Sequence, residues 1–389
     1  MEIVMLNHNF AREGTYWRCY HLARVLAARG HDVTLFTRHP TSRFRIHRRC
    51  EEGVTVVATP RGVLGRLHLG ELGVLDIAPR ILHVLRRRPD VLMAFGAQPD
   101  VAVPFFVSRR LGGARLHHAD RDDLKRGALL ETAFRGTRLE WWIPHGERWE
   151  REVPRRADAV TTISRWLERD TLAWGLDPDK VCFLPSGADV ERIRPLPRDE
   201  ARTRLGLPHE APVCTYVTAG GGPEGNLLLP VIEQVAATHP EARFVFVGPS
   251  DPARRSVPAV LETGVVPADA VRWWLAAADV ALLPYFDTDF NRARWPIKLG
   301  DYIAAARPVV ACDIGELGRV VAEHGIGLLA RPDMSGFAER VLELLSDRAR
   351  AEAIGARARR VAEEHYDWRV LAERLESFLA DRLTATSTT

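Results

Sequence analysis

The strongest constraint in this chain is a rhythm that runs twice. Short apolar runs suited to buried strands alternate with longer segments of helical spacing. In the first half, strands are expected at residues 2–6, 32–36, 54–58, 90–95, 114–118, 159–163 and 180–184. Helices are expected at 16–29, 74–85, 101–111 and 165–174, with Ser164 as the N-cap of the last. Residues 185–212 are rich in Pro and Arg and read as a linker. The alternation then restarts, with strands at 213–218, 243–247, 279–284 and 308–312 and helices at 226–238, 268–278 and 297–306. The tail, 334–385, reads as helical. Two consecutive arrays of this kind imply two doubly wound α/β domains, each a parallel sheet covered by helices on both faces. Ligands of such sheets bind beyond the carboxyl ends of the strands, and two facing domains would hold one in the cleft between them.

Composition narrows the class without naming it. At 389 residues, 46% hydrophobic and 27% charged, the chain is neither a disordered nor a fibrous sequence. No apolar run approaches the roughly 20 residues of a membrane span. The opening MEIVMLNHNF has no basic region and no small-residue cleavage site, so no secretory signal is read there. Cys19, Cys50, Cys182, Cys214 and Cys312 are scattered, which excludes the common cysteine-based zinc signatures and fits reduced thiols in a cytoplasm. Charge is unevenly spread: residues 1–200 carry a net +7 and residues 201–389 a net −4. The basic half fits either an anionic partner or a merely solvated surface. Only three lysines, Lys125, Lys180 and Lys298, stand against 51 arginines, which draws attention to any lysine at a ligand-facing position.

Four segments could carry chemistry. Gly14 and Thr15 end the loop NHNFAREGT, just before a helix whose free amide groups suit a phosphate or sugar oxygen; a plain strand-to-helix turn is the other reading. LHHADRDDL (116–124) crowds His117, His118, Asp120, Asp122 and Asp123 at the end of a strand. If the strand continued, His118, Asp120 and Asp122 would share one side, where a carboxylate could orient or deprotonate a hydroxyl. A metal site is the minor alternative, and an Asp cap at a turn, with Asp123 in that role, is the other. GGGPEGN (220–226) lacks the Lys-Ser/Thr of a P-loop, but Gly220, Gly221 and Gly222 would let backbone amides approach a phosphate, or form a simple turn. The fourth segment, PYFDTDFNRARWPIKLGDYIAAARPVVACDIGE (284–316), brings Arg292, Arg294 and Lys298 to one helix start, with Asp301 one turn beyond Lys298. A pyrophosphate at the helix start and a carboxylate on the ribose is a nucleotide geometry. An exposed Lys298–Asp301 ion pair, worth only about 0.3–0.5 kcal/mol, is the alternative.

Taken in order, these segments resemble the family 4 glycosyltransferases, enzymes of the GT-B fold. The similarity runs from the opening strand–loop–helix through RADAVTTIS (156–164) and PSGAD (185–189). It is densest in AAADVALLP (276–284) and PIKLGDYIAAARPVV (296–310). The resemblance implies an acceptor-binding domain at 1–190, with 366–389 crossing back onto it as a final helix, and a donor-binding domain at 205–365. It implies transfer of a sugar from a nucleotide diphosphate to a hydroxyl acceptor, with retention of configuration and no metal or other cofactor. The family's two donor-helix glutamates fall at Ala293 and Asp301, so Asp301 is placed on the ribose and Asn291 is the nearest polar substitute for the other. Ile297 opens the same helix. The family's Arg and Lys after the first donor-domain strand are absent, and Arg292, Arg294 and Lys298 are expected to replace them, helped by Gly220–Gly222 amides. The family's acceptor-domain His falls at Asp122–Asp123; Asp122 is therefore placed near the reacting hydroxyl, with Asp120 and His118 as further candidates. A related inverting branch uses an Asp near this point, which leaves inversion open.

The basic run RFRIHRR (43–49) and the tryptophans Trp141, Trp142 and Trp149 fit a lipid-linked acceptor at an anionic inner membrane face, although the tryptophans fit simple packing equally. A soluble glycan or small-molecule acceptor is also compatible. No nucleic-acid partner is expected, because the arginines form no recognition helix. Two rival readings are carried forward: another nucleotide-sugar enzyme of this fold, such as an epimerase, and a catalytically weak GT-B binding or scaffold subunit.

Overall fold

The computed structural model describes residues 1–42, 44–60, 74–122, 143–218 and 223–387. Within them the chain divides into two units, Met1–Pro185 with Leu371–Thr389, and Ser186–Val370.

The first unit is built on β1 (Glu2–Phe10), β2 (Asp32–Arg38), β3 (His47–Glu51), β4 (Val54–Thr59), β5 (Val91–Phe95), β6 (Leu116–Arg121), β7 (Ala159–Thr162) and β8 (Val181–Phe183). Among the described residues they form one eight-stranded sheet in the order β3-β4-β2-β1-β5-β6-β7-β8. All neighbours are parallel except β3 and β4. The antiparallel edge has no counterpart in the sequence reading. His47–Glu51 carries no apolar alternation because most of it faces solvent, and its charges keep an edge strand from pairing further. β1 continues to Phe10 through residues read as loop, and its Asn7 is fully buried. β6 begins and ends later than the apolar signal suggested; all six of its residues are buried, including His117, His118, Asp120 and Arg121. The core gathers Val4, Leu6, Leu92, Ala94, Phe105 and Val160. Trp149, on the Ile143–Arg155 helix, packs edge-on to Phe106 beside this core. Trp141, Trp142, Asp123 and Arg43 lie outside the described residues.

The C-terminal helix, Trp368–Ser387, runs from the second unit into the first. There Glu376 accepts from Arg29 Nε at 2.5 Å and meets His31 Nε2 at 3.0 Å. Arg382 Nε donates to the Asp158 carbonyl at 3.1 Å.

The second unit carries β9 (Val213–Val217), β10 (Arg243–Val247), β11 (Val260–Glu262), β12 (Val280–Leu283), β13 (Val309–Cys312) and β14 (Gly327–Ala330). Among the described residues these form a six-stranded sheet, all parallel, in the order β11-β10-β9-β12-β13-β14. The outer strands β11 and β14 are three and four residues long, too short to announce themselves. The segment read as a linker contains a helix, Arg198–Leu205, which follows Pro197 and stops at Gly206 in the left-handed region. Its Arg202 is fully buried and donates to Asp279 and to the carbonyls of Ala277, His209 and Ala211, so a charged residue inside an Arg-rich stretch anchors packing. The ends of this unit are joined: Ala188 N donates to the Tyr366 carbonyl at 2.6 Å, and Ala188 bridges to Asp367.

Candidate functional sites in the two units

In each sheet the strand order reverses direction at one point, between β1 and β5 and between β9 and β12. The carboxyl ends at those points are where such sheets bind ligands, and the unusual polar residues gather at both.

In the second unit, the Ile297–Ala304 helix starts beside the carboxyl ends of β9 and β12. Tyr302 is fully buried on it, and its hydroxyl accepts from Val217 N at 2.8 Å, which pins the helix to the end of β9. Lys298, in the first turn, lies with Nζ 4.2 Å from the Tyr216 ring centre and 5.7 Å from that of Tyr285. Arg294 stacks 4.2 Å over Tyr285 and 5.4 Å over Phe290. Glu224 is the nearby acid, 3.9 Å from Arg294. Burial, followed by the neighbouring Arg294 charge, pushes the Lys298 ammonium down to about 7, with Glu224 opposing. A half-buried ammonium among aromatic faces and a second cation is poised to gain charge when an anion arrives.

Asp301 does not pair with Lys298. Gly300 lies against the loop of the PSGAD segment so closely that a Cβ there would sit 2.4 Å from the Gly187 carbonyl oxygen. This contact brings Asp189 near Asp301; burial first, and the Asp189 charge second, raise Asp301 to about 7. Ile297 is half-buried at the opening of the helix.

Arg292 does not join Lys298 and Arg294, so three expected cations become two. Thr288 caps the short Asp289–Ala293 helix by accepting from Asn291 N, and that turn leaves Arg292 exposed against Asp287, with bonds of 2.7 and 2.9 Å. Asn291 Nδ2 donates to the Phe286 carbonyl, while its buried Oδ1 has no hydrogen-bond partner. Ala293, at the missing glutamate, is fully buried. Gly220, Gly221 and Gly222 lie outside the described residues.

In the first unit, Thr15 precedes the Tyr16–Ala28 helix, but its hydroxyl does not cap it; it donates to Asp122 Oδ2. Gly14 takes a left-handed φ of 51° with Asn9 directly beneath it, which keeps a Cβ out. Asp122 therefore sits at the end of β6 with one oxygen fixed from across the loop. A cavity of about 20 Å³, room for one water, lies beside it and Asp120, Arg121 and Glu150.

His118 and Asp120, expected near the acceptor, are both buried and internally paired. Asp120 takes both Arg18 Nε at 3.0 Å and Nη2 at 2.8 Å, and a 2.6 Å bond from Thr161 Oγ1. Because that hydroxyl donates to Asp120, His118 must donate to it from Nε2, at 2.9 Å. His118 is fully buried, and burial lowers it to about 4, so it is neutral at pH 7. Arg18 also donates to the Leu184 and Pro185 carbonyls at 2.8 Å, tying β6, β7 and the end of β8 together.

Three polar residues at the same end escaped the sequence reading. His8 Nδ1 donates to the Phe95 carbonyl, and Asn9 Oδ1 and Gln98 Oε1 are buried without hydrogen-bond partners. Gly96 makes the close approach possible; a Cβ there would meet Gln98 Oε1 at 2.7 Å and His8 Nδ1 at 3.1 Å. The signal was present in NHN directly following an apolar run, but a strand of nine residues was not expected there. Among the described residues, no group of three His, Cys, Asp or Glu side chains could hold a metal ion.

Comparison with known proteins adds identity to this geometry. Residues 13–187 match the glycosyl transferase 4-like domain, and residues 223–347 match the glycosyl transferases group 1 model. The chain is a glycosyltransferase carrying these two domains. This glycosyltransferase is 26% identical over 380 residues to the D-inositol 3-phosphate glycosyltransferase of Acidothermus cellulolyticus, covering 89% of this chain and 81% of the relative. It is 25% identical over 339 residues, 83% of each chain, to a GDP-mannose-dependent monoacylated alpha-(1-6)-phosphatidylinositol monomannoside mannosyltransferase of Corynebacterium glutamicum. Its fold is similar to sucrose-phosphate synthase of Thermosynechococcus elongatus, with a TM-score of 0.76 at 18% identity, covering 99% of this chain and 100% of that one. It is also similar to Anabaena HepE in complex with UDP-glucose, with a TM-score of 0.70 at 17% identity, covering 98% and 100%. Both units are therefore the parallel-sheet domains of the GT-B fold.

Proposed function

We propose that this glycosyltransferase moves a sugar from a nucleotide diphosphate to a hydroxyl acceptor, with the nucleotide held by the second unit and the acceptor by the first. The observation that carries this reading is Lys298: one of three lysines in the chain, half-buried at the switch point of β9 and β12, beside Arg294. Lys298 and Arg294 take the diphosphate and stabilise its charge as the glycosidic bond to it breaks. Asp301 accepts from the ribose hydroxyls, and Asn291 Oδ1 offers a free acceptor nearby. Asp122, oriented by Thr15, lies next to the acceptor hydroxyl. The two cations supply the charge neutralisation that a divalent ion gives elsewhere, so the reaction runs without metal, and it retains the anomeric configuration. HepE binds UDP-glucose and the corynebacterial relative uses GDP-mannose, which supports a nucleotide-sugar donor without fixing its base.

The acceptor is proposed to be lipid-linked. Phe44 and Ile46 are 71% and 46% exposed within a run that also carries Arg45, His47 and Arg48. Exposed apolar groups among cations suit an anionic bilayer surface. Among the described residues, no helix is long and apolar enough to cross a membrane.

The experiment is a thermal-shift panel with UDP, GDP, dTDP, ADP and CMP on wild type and Lys298→Ala. A ligand at 100 times its dissociation constant adds about 2.7 kcal/mol to stability. A rise with one nucleotide, lost in the variant, supports the reading; no rise with any of them sinks it in favour of a binding subunit.

A further inference from the structure

The end of the second sheet opposite Lys298, where the chain enters its strands, encloses a cavity of about 610 Å³. Pro212, Asp279 and Pro308, which directly precede β9, β12 and β13, form part of its lining. Four arginines reach it, Arg198, Arg307, Arg348 and Arg359, against Glu210, Asp279 and Glu352. The acids are already engaged where they matter. Asp279 accepts from Arg198 at 3.1 Å, from the buried Arg202 at 2.7 Å and from Val213 N at 2.8 Å. Glu352 accepts from Arg348 at 2.8 Å.

Arg307 is different. It donates to two carbonyls, Ala305 at 2.9 Å and Ala278 at 2.7 Å, and among the described residues it has no carboxylate within ion-pair distance. Burial lowers its proton affinity most; the Asp279 charge opposes this, Arg198 and Arg202 add to it, Glu352 opposes it, and the guanidinium stays charged. Arg198 adds a second guanidinium, whose Nε makes no hydrogen bond and lies 3.4 Å from Asp199. A cation whose direct bonds go only to carbonyls, with its nearest acid already shared by two other arginines, has guanidinium capacity left for an anion. Phosphate oxygens match the guanidinium fork in spacing and charge. The volume lies in the range of small-molecule sites and exceeds that of a bare phosphate. Leu344, Leu345 and Ala351 give it an apolar wall for the rest of a ligand.

We propose that this cavity is a second ligand site, separate from the donor site, which binds a small phosphorylated metabolite through Arg307 and Arg198. The phosphoester enters against the guanidinium groups and its carbon body lies on the leucine wall. Bound there, the ligand bridges the entries of β12 and β13 and the Arg348–Val361 helix, and stabilises the unit that holds the nucleotide.

The test is calorimetric titration of the whole protein with inorganic phosphate and with glucose 6-phosphate, each repeated in excess UDP. The expected result is one site for glucose 6-phosphate, weaker binding of phosphate and no competition from UDP. Arg307→Gln should weaken the hexose phosphate roughly tenfold or more, and Arg348→Glu, at an exposed position on the rim, should weaken it severalfold with folding intact. The second variant carries the test if Arg307→Gln does not fold. Absence of binding by wild type, competition by UDP, equal affinities for the two probes, or unchanged affinity in Arg348→Glu would each overturn the proposal.

Discussion

Asp301 and Asp189 are brought together by a backbone contact that leaves no room for a side chain, and burial, with the Asp189 charge second to it, raises Asp301 to about 7. Lys298, one turn away on the same helix, is lowered to about 7. On the function proposed above, a bound nucleotide requires the opposite protonation of both: an ionised Asp301 and a charged Lys298. Affinity for the nucleoside diphosphate is therefore expected to rise up to about pH 7 and to fall above it. Asp301→Asn should flatten the acid limb, and Lys298→Arg the alkaline one. Titration across pH 5–9 checks this; a flat profile in wild type refutes it.

The same carboxyl has a signature without ligand. Its folded pKa lies above the unfolded value, so the folded state binds the extra proton between about 4 and 7. The stability it contributes is full below the unfolded pKa and is lost as pH rises through 7. Asp301→Asn should raise the unfolding free energy of the free protein at pH 8 by on the order of 1 kcal/mol after solvent screening, and leave it unchanged at pH 4.

Gly300→Ala places a methyl 2.4 Å from the Gly187 carbonyl oxygen, in a helix whose fully buried Tyr302 fixes it to β9. Neither side can yield cheaply. The variant should lose about 1–3 kcal/mol by thermal or urea unfolding, and nucleotide affinity should fall with it.

Two aspartates in one strand end should behave oppositely. Asp120→Ala leaves Arg18 buried without its carboxylate and should cost about 3–5 kcal/mol, whereas Arg18→Met with Asp120→Leu should recover much of it. Asp122→Asn should leave stability within about 0.5 kcal/mol and lower kcat by roughly 10²-fold or more. Unfolding curves beside turnover rates separate the two roles.

Hydrophobic patterning made most of both sheets legible, because parallel strands covered on two faces must be apolar throughout. It failed where burial is achieved by pairing. β6 encloses His118, Asp120 and Arg121 through Arg18, Thr161, Glu150 and Asp170, so the apolar signal stopped at residue 118 while the strand runs to Arg121. It failed also at β3, where an exposed edge strand needs no apolar face. Lysine scarcity pointed to Lys298, whose environment is unusual. Proximity in sequence misled at Arg292, because the cap at Thr288 gives it Asp287 as a partner. His8 and Gln98 went unnoticed because they come from different strand ends and meet over Gly96 only when the sheet folds.

The bond from Ala188 to Tyr366 sets the topology of the whole chain. The first unit owns both ends of the sequence, and the second is an insertion whose entry and exit strands are stitched together at their base. Residues 186–370 thus leave and rejoin the rest of the chain at one place. On the function proposed above, replacing that insert exchanges the donor-binding unit while the first unit keeps both of its chain segments.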